Sequence, residues 1–457
     1  MEHQEDICLD CVEQTEAKSR RMSLIPIITG ILALIILISG VSVFLQVYHS
    51  SDEPSNSDPL PIQITTISAG ENHSMTIDVN GSLWAWGVNT NGQLGDGTTI
   101  NRHNPVHILD DVVSAYAGFN KSMAIKADGT LWTWGYNSEG QLGDGTTTNR
   151  YIPMRIMDGV IDVFISRDHA MAIRADGSLW AWGWNMWGHL GNGTTYNQYT
   201  PVHIMDDVVS VTVGSIHTLA IQSDGSLWAW GANDSGQLGD GTTIGRYSPV
   251  HIMDDVITTA ASMWHTMAIR KDGSLWAWGA NAWGPLGDGT AIDRYRPVQI
   301  MDDVVAIATD DFFYSMAIKA DGGLWAWGSD YWGELGASEP ITTRYSPTRI
   351  MDNVVSVLIR QHDIVIHRAD NSLWEWPLII SWAGSSIDGV TVNRRSPMHI
   401  MEDVLAVSYG EGHAMAVQSD GTLWAWSART WDTFFLEDAG KLHISYPIKI
   451  MDNIMLP

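Results

Sequence analysis

The sequence predicts an all-β protein: a β-propeller of four-stranded blades, preceded by one transmembrane helix. Three observations predict it. The string Leu-Trp-x-Trp begins at Leu83, Leu131, Leu179, Leu227, Leu275, Leu324, Leu373 and Leu423, at successive spacings of 48, 48, 48, 48, 49, 49 and 50 residues. A turn signal, Asp-Gly or Asn-Gly, stands just before nearly every copy. One long apolar run, Leu24 to Leu45, precedes them all. Repetition at this period means that each unit is one supersecondary element whose faces are buried only by stacking on its neighbours.

The apolar run has 22 residues and no charge. At about 1.5 Å per residue such a helix reaches roughly 30 Å, enough to cross a bilayer. Lys18, Arg20 and Arg21 precede it, and Asp52, Glu53 and Asp58 follow it. Positive charge stays on the cytoplasmic side, so the N-terminus is expected inside and the bulk of the chain outside. A cleaved signal peptide is the competing reading. It would end in small residues, whereas here the run continues through Val43-Phe44-Leu45-Gln46-Val47-Tyr48. The expected organisation is a cytoplasmic tail over residues 1–22, a signal anchor over 23–48, a polar linker with Pro54 and Pro59 over 49–60, and the repeats over 61–457. The chain is thus expected to be a single-pass protein of the cell membrane.

The fourth unit shows the plan of a blade. Val208–Val213 is apolar and β-branched and predicts a first strand; His217–Gln222 alternates and predicts a second. Asp224-Gly225 then joins it to a third, Leu227-Trp228-Ala229-Trp230. Asp-Gly between two such runs is a hairpin signal, expected here to place both central residues at positive φ. The seventh unit has Asp370-Asn371 instead, and Asn tolerates the same geometry. The long turn Asn233–Gly241 leads to a fourth strand, Pro249–Met253, with proline expected at its first position. Four antiparallel strands in about 50 residues is the plan of a propeller blade. The sixteen paired tryptophans are expected to fill the space between blades, because each buries a large area. Eight complete units predict eight blades, with seven as the alternative. Units seven and eight read Trp376-Pro377 and Trp426-Ser427 where the others have Gly, and are expected to be distorted.

The string G-x-N-x-x-G-Q-L-G-D-G, at Gly87–Gly97, Gly135–Gly145 and Gly231–Gly241, resembles the signature of the regulator-of-chromosome-condensation repeat. So does Ala69-Gly70-Glu71-Asn72-His73 ahead of the second strand. Kelch repeats would show Gly doublets, and WD-type repeats would end strands in Trp-Asp; neither recurs. The resemblance covers residues 61–457 and implies a propeller, seven-bladed in the familiar members. In the eukaryotic founder it implies nucleotide exchange through an inserted wedge and chromatin docking through basic extensions. This sequence has neither feature. Secreted bacterial relatives, including a class of β-lactamase inhibitor proteins, use the propeller face to bind a protein, and a membrane-anchored bacterial member fits that pattern.

Composition narrows the function further. The formal net charge is −27, with no basic patch after residue 22. Such a chain repels phosphate backbones, so no nucleic-acid partner is expected. The only cysteines, Cys8 and Cys11, lie in the tail, which excludes a disulfide framework in the repeats. His73, His169, His217, His265 and His413 hold one equivalent position per unit, with Lys121 and Asp363 there in two others. They are expected far apart around the ring, as structural histidines rather than metal ligands. The Leu-Gly-Asp-Gly turns lack the spacing of a calcium loop. No nucleophile elbow, phosphate loop, zinc-protease motif or acid pair is present, so no enzyme activity, cofactor or metal is expected.

In an antiparallel blade the loops alternate between two ends. The second-to-third turns and the links between blades then share an acidic face that includes Asp128, Asp176, Asp224, Asp272, Asp321 and Asp420. The opposite face receives the first-to-second and third-to-fourth loops. In the latter, one position reads Asn91, Glu139, Trp187, Ser235, Trp283 and Trp332 along units one to six. A position that accepts Asn, Glu and Ser is expected to be exposed, so its three tryptophans are candidate ligand contacts. Trp264, Phe312, Phe313 and Tyr314 from the first-to-second loops of units five and six are expected to join them. The partner expected is an extracellular protein, with a cell-wall glycan stacked on the same tryptophans as the alternative.

Overall fold

The computed structural model describes residues 64–309, 314–329, 343–360, 363–376, 397–410, 412–427 and 447–451. The apolar run, the linker, Cys8 and Cys11 lie outside the described residues. Eight four-stranded antiparallel sheets follow one another, each a meander of consecutive strands. The first strands of adjacent sheets approach one another and the fourth strands do not, so the first strand is innermost and the fourth forms the rim. This is an eight-bladed propeller.

Blade four shows how closely local chemistry dictates the strands. The first and second strands are Val208–Val213 and His217–Gln222, and the third is Leu227–Gly231. The fourth runs from Arg246 to Met253, so Pro249 sits inside it rather than at its start. The register slips between Ala229 and Gly231, which makes a bulge, and the strand is an edge. Both features tolerate a residue without an N–H. The hairpin turn also differs from expectation. Only Gly225 has positive φ (+89°), and its N–H donates to Gln222 O at 2.9 Å while Gln222 N–H donates to Ser226 O at 3.0 Å. That is a three-residue loop with a glycine bulge rather than a two-residue turn. Asn371 takes the same conformation in blade seven (φ 62°).

The core is distributed. Among the described residues the buried apolar side chains form eight clusters, one at each blade boundary. Each contains the second tryptophan of the later blade, from Trp134 between blades one and two to Trp86 between blades eight and one. The first tryptophans of the pairs do not share this fate. Trp84, Trp132, Trp180, Trp228 and their equivalents are half-buried toward the rim, where strand-four side chains such as His107 (5.4 Å from Trp84, edge on) cover them. Eight of the sixteen tryptophans, not all, are therefore interblade core.

The second tryptophans are also latched. Trp134 Nε1 donates to Gln93 O at 2.9 Å, across the boundary. Trp182, Trp230, Trp278 and Trp327 donate likewise to Gln141 O, His189 O, Gln237 O and Pro285 O. The indole lies on the next glycine of the same loop: a Cβ on Gly95 would stand 2.7 Å from Trp134 Nε1. With φ at +81° as well, that position accepts only glycine. A buried asparagine holds the loop in shape. Asn89 Nδ2 donates to Asp96 Oδ1, Thr98 O and Ile100 O, and its Oδ1 accepts from Leu94 N–H. Asp96 in turn pairs with Arg102 at 2.6 Å. Blade three replaces both members together, as Asn192 and Gln198.

The recurring histidines complete the latch. His73 Nε2 lies 2.8 Å from Ser122 Oγ of the next blade, and that hydroxyl donates to Gln93 O at 2.7 Å. The hydroxyl proton is thereby committed, so the imidazole is the donor, through Nε2–H. His217–Thr266 and His265–Ser315 repeat the arrangement. His413–Ser74, at 2.7 Å, makes the same contact from blade eight to blade one, as does Ala69 N–H to Ser408 Oγ for the pair Ala117 N–H to Ser68 Oγ. Closure therefore uses the ordinary blade-to-blade contacts. Ile448–Met451 is the fourth strand of blade eight and Ile64 opens the first strand of blade one, so each of these blades is built from four consecutive strands of its own. Blades seven and eight depart as their sequences suggest. Their fourth strands shorten to Met398–Met401 and Ile448–Met451, and the buried indole nitrogens of Trp376 and Trp426 have no partner among the described residues.

Two predictions follow from these contacts. In most blades the first tryptophan donates Nε1 to a Ser or Thr in the hairpin, as Trp132 does to Thr130 at 2.9 Å. Blade six has Gly323 there, and Trp325 Nε1 is buried without a partner. Gly323→Ser is expected to stabilise the protein by about 1 kcal/mol, seen as a higher denaturant midpoint at unchanged slope. The Arg349 guanidinium and the Asp321 carboxylate, each 2.9 Å from the new Cβ, must yield to it. The second prediction is acid lability. Burial pushes the imidazoles of His73 and His265 down to about 3 and those of His217 and His413 to about 4. Their unfolded value is about 6.5, so their neutral form stabilises the fold fully above that pH, and the contribution is lost as pH falls toward the folded values. Each is expected to remove about 2 kcal/mol between pH 7 and pH 5. Urea titrations should show stability falling over that window, with a shallower fall in His217→Gln; a flat profile from pH 7 to 5 contradicts the assignment.

Candidate functional site

Backbone hydrogen bonds establish what each face of the ring carries. Val112 N–H donates to Gly81 O and Val208 N–H to Gly177 O, so each link between blades rests on the hairpin turn of the blade before it. These make one face. Its aspartates serve the turns: Asp128 Oδ1 accepts from Thr130 N–H and Oγ1–H, and Asp272 Oδ1 from the same groups of Ser274. Those hydrogen bonds hold the carboxyls below the usual range. Among the described residues no group of three or more His, Cys, Asp or Glu side chains is arranged to hold a metal ion.

The other face joins the first-to-second and third-to-fourth loops. Tyr136 N–H donates to Asn120 O, Trp184 N–H to Asp168 O and Ala280 N–H to Trp264 O. Trp187 and Trp283 project from this face, 41% and 51% exposed. Met186 is exposed beside Trp187. Trp264 is half-buried, its N–H bonded to Ser262 Oγ at 3.0 Å. Phe312, Phe313 and Trp332 lie outside the described residues. Tyr314 does not belong to the exposed set. It is 1% exposed and is the first residue of the second strand, the position held by the histidines in other blades. The extra residue in that unit's loop shifts the count by one, which put a core residue among the loop residues. The histidines do stand one per blade, but His169 also meets a histidine outside the series, His189, with ring centroids 4.4 Å apart.

The same face carries a cleft of about 530 Å³ at blades one to three. That is the size of a small-ligand or side-chain site. Phe119, Tyr136 and Trp184 supply aromatic surface, and Glu139, Arg167 and Asp168 supply charge. Lys121 closes it from beneath. Where other blades place histidine, its Nζ donates to Ser166 O and Arg167 O of blade three, both at 2.7 Å. Burial lowers this ammonium to about 7. The Arg167 guanidinium lies 5.5 Å from the Phe119 ring centre. The sequence places Glu139 at the exposed loop position and Lys121 at the histidine position, but does not single out Phe119, Tyr136, Arg167, Asp168 or Trp184. The one available signal was the position after the strand-three glycine, which reads Val88, Tyr136, Trp184, Ala232, Ala280 and Ser329 and is aromatic only in blades two and three.

Comparison with solved structures agrees on the fold. Human WBSCR16 is similar at 22% identity and a TM-score of 0.52, over 65% of this chain and 85% of that one. Yeast RCC1 (Prp20), in a structure with Kap60 bound, is similar at 22% identity and a TM-score of 0.51, over 64% of this chain and 77% of the other. Prp20p of Saccharomyces cerevisiae, described with its binding properties to Gsp1p and histones, gives 22% identity, a TM-score of 0.52 and coverage of 64% and 80%. The family model of the RCC1-like domain matches residues 40–310, more than half of the chain. With that match, the repeated loop glycines and the ring of latched blades, this chain belongs to the RCC1-like domain family.

Proposed function

We propose that this protein is a non-catalytic scaffold, anchored in the cell membrane by residues 23–48, whose propeller lies outside the cytoplasm and binds another protein. The observation that carries the reading is the exposure of Trp187 and Trp283 on the face that joins the first-to-second and third-to-fourth loops. Large aromatic side chains held on rigid loops supply contact area at low entropic cost, which is why they dominate binding hot spots. Their loops are pinned by buried Asn185 and Asn281, so the indoles are presented on a pre-organised frame. The family relative Prp20 is described as binding proteins, in keeping with this reading. The acidic charge and the apolar run flanked by Lys18, Arg20 and Arg21 support a place outside the cytoplasm rather than on nucleic acid.

Exposed indoles also suit sugar rings, and a cell-wall glycan is the second reading. The full-length chain in detergent, incubated with envelope extract and with purified peptidoglycan, separates the two. Protein captured by the wild type is expected to be lost in Trp187→Ala/Trp283→Ala, with a melting temperature within about 2 °C of wild type. Peptidoglycan retained by the wild type and not by the variant favours the glycan. Capture that survives the double substitution removes this face from the mechanism.

The anchor has its own test. In intact cells a membrane-impermeant thiol reagent is expected to leave Cys8 and Cys11 unlabelled and to label them after permeabilisation. Labelling of intact cells reverses the orientation.

A further inference from the structure

The cleft at blades one to three combines aromatic and charged side chains from three blades. Its cations are already engaged. Lys121 Nζ is 1% exposed as a residue and spends its donors on two backbone carbonyls of blade three. Arg167 rests on the face of Phe119. Its anions are less committed. Glu139 accepts hydrogen bonds from Asn197 Nδ2 at 2.9 Å and Ser138 Oγ at 3.4 Å. The Asp168 carboxylate, half-exposed at the cleft, accepts no hydrogen bond from any described residue, although its charge acts on the Lys121 ammonium. Tyr136 and Trp184 line the same space with aromatic surface.

Aromatic faces beside open carboxylates attract a cation, and more strongly where water is excluded. The molecule itself shows the fit, because its own exposed Arg167 already places a guanidinium on Phe119 at this cleft. The whole-chain charge of −27 draws basic partners toward it.

We propose that this cleft receives an arginine or lysine side chain of the protein partner, against Tyr136, Trp184 and the carboxylates of Asp168 and Glu139, with Arg167 swinging out to admit it. The inference rests on the protein-binding reading and names the partner's chemistry: a basic side chain presented to the loop face. Lys121 is a positioning residue. By holding the carbonyls of Ser166 and Arg167 it fixes the loop that carries Asp168.

The test uses the full-length chain and three peptides blocked at both ends, Gly-Arg-Gly, Gly-Glu-Gly and Gly-norleucine-Gly, titrated by calorimetry or ligand-observed NMR. Gly-Arg-Gly is expected to bind at least about tenfold tighter than the norleucine peptide, and added salt is expected to weaken it. Asp168→Asn is expected to lower its affinity about tenfold with little change in melting temperature. Arg167→Ala is expected to raise it severalfold, because the internal occupant is gone. Preferential binding of Gly-Glu-Gly, or a loss of affinity in Arg167→Ala, overturns the proposal and makes the cleft an anion site. Absence of binding by all three peptides also overturns it. Capture of envelope protein is measured on the same preparations. If capture through Trp187 and Trp283 persists while Gly-Arg-Gly fails, the cleft proposal alone falls; if capture fails too, the scaffold reading falls with it.

Discussion

A tryptophan seated on its neighbour's glycine is the contact on which the ring depends. A four-stranded blade has two faces and no core of its own. The second indole of each Leu-Trp-x-Trp string fills the gap to the preceding blade, and its one polar atom needs a partner there. The loop of the preceding blade supplies it as a backbone carbonyl, at 2.8–3.0 Å in five successive boundaries. The glycine after that loop's leucine leaves room for the ring. The asparagine at the loop's start and the aspartate–arginine pair at its end exist to hold that carbonyl and that glycine in place. Histidine and hydroxyl add a second strand of the same network from the inner side. Remove the indole and the remaining polar groups have nothing to register against.

This arrangement explains why the propeller closes without exchanging a strand. Each boundary has its own apolar cluster. The boundary between blades eight and one has the cluster, the histidine contact and the strand-one contact of the others. Among the described residues, blades one to five each supply the carbonyl that takes the next blade's indole N–H, and the loops bearing Trp187 and Trp283 and the cleft belong to them.

A rigid frame of this kind suits recognition. The same loops that latch the blades also present variable side chains at their tips, so their outer positions are free to change while the carbonyl and glycine stay. In blade two, lysine in place of histidine redirects the interblade contact from a hydroxyl to two carbonyls. Those two bonds tie down the neighbouring loop, whose Arg167 and Asp168 line the charged, aromatic cleft. Binding surface and structural latch are two sides of one loop.

Much of the architecture was legible from the sequence. Strands one and two of blade four coincide with the apolar alternation, because side-chain period and turn residues are local properties. The glycine positions, the alternation of loops between two faces and the count of eight repeats needed only spacing. What the sequence left open lies between blades. The latch acceptor is a backbone carbonyl, so the residue bearing it varies freely among Gln93, Gln141, His189, Gln237 and Pro285 and leaves no trace in side-chain identity. Nor could spacing tell the first tryptophan of each pair, half-buried at the rim, from the second, fully interblade. Tyr314 shows the same limit: one extra loop residue moved it from the surface to the histidine position in the core. The sequence marks the cleft only by the aromatic Tyr136 and Trp184; that Phe119, Trp184 and Asp168 line one space was decided by the packing of neighbouring blades, which Lys121 ties together. Local chemistry determines a blade; only packing determines what two blades build between them.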